Sequence, residues 1–259
     1  MQKKQITRSI SDKKVIMNFK NIIIKEDVMR KKIILMIIVS LFVVFITAYA
    51  QDYSPKINPS DFTDKIDNPY FSLTPDTTFS YQGKTDEGTE VIKVIVTDQT
   101  KEVMGVNTLV VWDRVWLDDE LIEETYDWYA QDREGNVWYF GEDSKEYENG
   151  NVVSTEGSWE GGVDGALPGL IMKNKLTVGD SYRQEYYQGE AEDWAEIVSL
   201  NEKVVVPYGS FENCIKTKDW SALESNVIEY KYYSPSVKNV VLETDAGNAE
   251  RVELMNIEK

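Results

Sequence analysis

Histidine is absent from the 259 residues, and cysteine occurs once, as Cys214. The first absence excludes a Ser-His-Asp triad, a histidine-ligated metal and a histidine proton shuttle. The second excludes an intramolecular disulfide and a cysteine-rich zinc site. Basic side chains are scarce, 28 against 45 acidic ones, so the net charge is -17. That balance argues against nucleic acid as a partner, because phosphate binding needs a basic face. Also missing are a G-x-S-x-G elbow, an S-x-x-K pair, a Walker A loop and a G-x-G-x-x-G turn. No motif gives positive support to an enzyme, and no catalytic residue is assigned.

The charge is unevenly placed. Residues 1–50 hold ten basic and three acidic side chains, +7, and the other 209 hold 18 and 42, -24. Such a step separates a targeting segment from a mature domain. Arg30, Lys31 and Lys32 form a positive n-region, and Ile33 to Ile46 is apolar except for Ser40. Ala48-Tyr49-Ala50 then supplies an A-x-A cleavage site, leaving Gln51 as the mature N-terminus. The expectation is a signal peptide over 29–50 and secretion to the cell-envelope exterior. The alternative is a retained anchor, with the membrane touched only through that uncleaved segment. Met29 directly before Arg30 points to a start there, with 1–28 an upstream extension. Residues 51–67 read as an extended lead-in and 68–259 as a single β-domain.

What the mature chain has in plenty is aromatic and β-branched residues between turn signals. Runs open or close at Asp118-Asp119-Glu120, Asp132 to Asn136 and Glu148-Asn149-Gly150-Asn151. The pattern predicts an all-β fold: an antiparallel meander of about ten to twelve strands, an open or closed barrel-like sheet. In Ile228-Glu229-Tyr230-Lys231-Tyr232 the period of two puts the apolar and aromatic residues on one face and the charges on the other. Gly162 to Lys175, rich in glycine, reads as a long connection with at most a short helix near 166–175.

Four segments carry a resemblance. Asn68-Pro69-Tyr70-Phe71-Ser72-Leu73-Thr74-Pro75 is followed by Asp127 to Asp132 with Gly135-Asn136-Val137-Trp138-Tyr139-Phe140-Gly141-Glu142. Val206-Pro207-Tyr208-Gly209-Ser210-Phe211-Glu212-Asn213-Cys214 and Tyr232-Tyr233-Ser234-Pro235-Ser236-Val237 come later. Together they resemble a family of secreted or lipid-anchored prokaryotic β-domains, some of whose members look like open barrels of the lipoprotein-carrier type. Asp76 stands where that family's opening has glycine, Phe79 where it has tryptophan, and Ser236 where it has a late glycine. The resemblance implies a β-barrel and no catalytic residue.

Two constellations suggest sites. Trp112, Trp116, Tyr126 and Trp128 lie on consecutive strands, and flat rings suit a groove for an apolar or amphipathic ligand. Cross-strand packing explains the same rings without a ligand. The alternation places Trp112 and Trp116 on one face, and Tyr126 and Trp128 on another common face. The acidic turns, such as Asp118-Asp119-Glu120, leave a weak Ca²⁺ site open as the only cofactor alternative, although none has EF-hand spacing. Cys214 reads as a small buried hydrophobe.

The sequence thus supports a secreted, non-enzymatic domain binding a lipid or other apolar small molecule. A structural or adhesive surface protein without a pocket is the alternative, and a hydrolase using carboxylates alone is the third.

Overall fold

In the computed structural model the described residues are 53–259, apart from Asp86, Ser225, Asn226 and Asn248. The expected signal segment and upstream extension lie outside them.

Consecutive strands pair because their connections are short and of the right type. Met104-Gly105, Asp118-Asp119 and Asn149-Gly150 each have positive φ at both residues. That is the two-residue hairpin turn whose twist matches the flanking strands. The lead-in holds β1 (Phe62–Thr63) and β2 (Ile66–Asp67), and β3 (Ser72–Leu73) follows it. The first meander is β4 (Thr78–Lys84), β5 (Thr89–Val103), β6 (Val106–Leu117), β7 (Glu120–Asp132) and β8 (Val137–Glu148). Then come β9 (Asn151–Ser154), β10 (Trp159–Glu160), β11 (Leu167–Met172), β12 (Ser181–Arg183) and β13 (Glu185–Tyr186). The second meander is β14 (Asp193–Val206), β15 (Gly209–Ser221), β16 (Ile228–Ser234), β17 (Asn239–Asp245) and β18 (Arg251–Glu258).

The main sheet is antiparallel and runs β12-β14-β15-β16-β17-β18-β4-β5-β6-β7-β8-β11-β13, a path of 13 strands. Its two end strands are separated by Gln184 alone, so one chain segment closes the sheet almost into a barrel. Closure removes sheet edges that would otherwise stay unpaired. The all-β barrel-like expectation is met. Residues 166–175, expected to be a connection with at most a helical turn, instead carry β11. Gly169 explains it: a Cβ there would stand 2.2 Å from the Gln184 carbonyl oxygen. Glycine lets β11 come against the closing segment, where a larger residue cannot fit.

Two cores result. The larger draws on strands all round the sheet, with Phe71, Leu73, Phe79, Val96, Ile197 and Ile215 among its members. The smaller lies on the outer face of β5–β8. Val103, Val106, Val110, Trp128, Ala130 and Phe140 gather there beneath Ile57 and Phe62. Phe62 sits edge-on to Phe140 at 5.4 Å and to Trp138 at 6.0 Å. The lead-in is therefore a cover for that face. Cys214 is fully buried.

Asp76 has φ 67°, the left-handed region that favours glycine. Lys238 is held similarly, at φ 59°.

Candidate functional site

Every strand of a closed sheet sends alternate residues inward. The inward set includes Ile92 and Val94 of β5, Val111 and Asp113 of β6, and Asp127 and Tyr129 of β7. Lys231 and Tyr233 of β16, Glu243 of β17 and Val252 of β18 complete it, around a cavity of about 190 Å³. In β16 it is the charged Lys231 that lines the interior, while Tyr230 lies 3.8 Å from the ammonium of Lys216. The interior can hold charge because the charges answer one another.

Lys231 is the cation of this interior, half-buried, 3.8 Å from a Glu243 oxygen and 4.0 Å from one of Asp219. The carboxylate of Glu243, and then that of Asp219, holds its pKa well above the usual lysine value, so it stays charged. The carboxyls have the opposite problem. Burial raises Asp127 to about 7, against the hydrogen bond from Tyr139. Burial likewise raises Glu243 to about 7 and Glu185 to about 8. Asp113 is pushed well above the carboxylate range, first by burial and then by Asp127.

Tyr139 links two of these acids. Its hydroxyl lies 2.5 Å from Asp127 Oδ1 and 2.8 Å from Glu142 Oε2. One hydroxyl hydrogen serves one acceptor. Both contacts are satisfied when Tyr139 donates to Asp127 and a protonated Glu142 donates to Tyr139. Burial, followed by the charges of Glu185 and Asp127, raises Glu142 well above its ordinary value, which fits that arrangement.

A second hollow of about 280 Å³ shares Ile92, Glu243 and Val252 with the cavity and is taken as its mouth. Glu90, Glu229, Asp245 and Glu250 line the mouth against Lys84 and Arg251. A larger groove, about 710 Å³, lies elsewhere and is lined by Phe79, Tyr208, Phe211, Lys238 and Lys259 among others. It contains none of the interior carboxyls.

None of Trp112, Trp116, Tyr126 and Trp128 lines the interior cavity. The expected split into two faces does not hold: Trp112 pairs with Tyr126 and Val110 with Trp128, so the rings share the outer face. Trp112 stacks on Tyr126 with centroids 5.8 Å apart and planes within 4°. Arg114 lies 4.8 Å from the rings of both Trp112 and Trp116, and Lys93 also covers Trp116. Trp128, 6 % exposed, belongs to the outer core and carries Lys101 over its ring at 3.2 Å. The protein's own cations thus occupy much of these ring faces.

Sequence reasoning did not single out Asp113, Asp127, Lys231 or Glu243. The available signal was positional. If the Trp112-x-Arg114-x-Trp116 face is satisfied by cation–π contacts, Asp113 must turn the other way.

Among the described residues no three histidine, cysteine or carboxylate groups gather in a way that could hold a metal ion. Nor is any helix among them long and apolar enough to cross a membrane.

No family model matches the chain. No curated protein matches it either. A solved structure named "putative lipoprotein", from Parabacteroides distasonis, is similar with a TM-score of 0.41 and 13% identity. The match covers 74% of this chain and all of that one. A likeness this weak carries no argument about function.

Proposed function

We propose that this chain is an exported, non-enzymatic barrel that binds one compact amphipathic molecule in its interior. The observation that carries the reading is the two-sided cavity. Ile92, Val94, Ile171 and Val252 give it an apolar wall, and Asp113, Asp127, Lys231 and Glu243 a polar one. Ligand sites have this composition: mostly apolar lining with a few polar groups that fix orientation. The volume is below the ~300–1,000 Å³ usual for drug-sized ligands, so the occupant is small. Export rests on the charge step and the A-x-A site.

Filling the cavity tests the reading. Val94→Phe should retain the native near-ultraviolet circular dichroism and lose the thermal stabilisation that six-carbon amphiphiles give the wild type. Equal stabilisation of both proteins would place binding elsewhere.

The chain Asp127–Tyr139–Glu142 favours a second reading, carboxylate-only hydrolysis. Two acids of raised pKa joined by a phenol can divide the roles of acid and base. Only Asp127 of the pair lines the cavity, which leaves Glu142 without an evident route to a substrate. Turnover of glycoside or ester substrates that disappears in Asp127→Asn would establish it; no turnover above the buffer rate would remove it.

A further inference from the structure

The cavity has more carboxyls than partners for them. Its lining holds Asp113, Asp127 and Glu243 against Lys231 alone. That lysine is already shared between Glu243 and Asp219. Asp219, which lies outside the cavity lining, is 6 % exposed; Gln184 donates to its Oδ2 and no donor reaches its Oδ1. Asp113 Oδ1 is also enclosed and meets none. Buried oxygens of this kind are costly unless a donor or a positive charge reaches them.

A bare metal ion is a poor answer, because the described carboxylates do not cluster as ligands. An anion is a worse one, since it would meet three carboxyls before a lysine that is already paired. The apolar wall beside the acids calls for carbon, and the acids call for N–H groups and positive charge.

We infer that the interior takes an organic cation, a protonated amine on a compact apolar body, with its ammonium directed at Asp113 and Asp127 and its carbon against Ile92, Val94 and Val252. This rests on the cavity reading above and narrows it to one ligand class. The mouth agrees with it. Five acids there, Glu243 among them, against Lys84 and Arg251, raise the local concentration of cations ahead of entry.

Three probes of equal length separate the possibilities: hexylamine, 1-hexanol and hexanoate, titrated calorimetrically into the purified protein. Hexylamine should bind at least tenfold more tightly than hexanol, and hexanoate should be weakest. Asp113→Asn and Asp127→Asn should each lower hexylamine affinity at least tenfold while changing hexanol affinity far less. Near-ultraviolet circular dichroism verifies the fold of each variant, so that either one suffices. Equal binding of hexylamine and hexanol, or tightest binding of hexanoate, overturns the cation while leaving the cavity reading intact. An unchanged preference for hexylamine in a correctly folded variant also overturns it. If none of the three binds, the cavity reading itself fails.

Discussion

Asp127 shows how much one residue decides. Its carboxyl is 8 % exposed and titrates at about 7 because burial penalises the charged form. Glu243 and Glu185 behave alike, at about 7 and about 8. The groups around them include Glu123, Tyr139, Lys231, Asp193, Asp219 and Glu229. A carboxyl whose folded pKa is raised holds its proton in the fold at pH values where the unfolded chain has lost it. Its stabilising contribution is full below pH ~4 and falls as pH rises through the folded value. The ligand-free protein should therefore lose stability between pH 5 and 8, by roughly a few kcal/mol in total. Urea midpoints measured across that range check it, and Asp127→Asn should flatten the decline. Lys238 gives a second residue-level expectation. Its φ of 59° is strained for a residue with a Cβ. Lys238→Gly should raise stability by about 0.5–1 kcal/mol, after the entropy that glycine adds to the unfolded chain. A higher melting temperature would show it.

Among the elements, the closing segment is the least forgiving. β11 approaches Gln184 so closely at Gly169 that Gly169→Ala must move backbone rather than a side chain. The expected cost is about 1–3 kcal/mol, read as a lower urea midpoint. The outer ladder of β6 and β7 is of another kind. Arg114→Ala removes two cation–π contacts and the 3.8 Å approach to Glu124. It should cost about 1 kcal/mol and leave amphiphile affinity unchanged. Titration calorimetry on that variant separates the outer rings from the interior site; weakened binding would return Trp112, Trp116 and Tyr126 to the ligand.

The sequence conveyed the strands and turns well, because the hairpins at 118–119 and 149–150 depend on local chemistry. β11 was hidden because its glycine serves a contact with a segment fifteen positions away. The sense of each face was hidden for a related reason. Alternation in Ile228 to Tyr232 separates charged from aromatic residues but does not say which set faces inward. Exterior rings covered by Arg114 and Lys216, and an interior lysine held by Asp219 and Glu243, reverse the usual assignment. That choice is made across strands, not along them.

For the whole molecule, acidity serves two places. Residues 51–259 carry a formal -24, and part of that charge is exterior and solubilising. The remaining acids sit inside the barrel, where their ionisation is costly without a counter-charge. A ligand that supplies the counter-charge stabilises the fold by mass action. Interior binding is most directly tested by native mass spectrometry of the protein purified from its own host. The expected spectrum contains a one-to-one complex with a small molecule that is displaced by hexylamine and missing from Val94→Phe. A bare polypeptide mass that no amphiphile shifts, in protein with its native circular dichroism, would contradict interior binding.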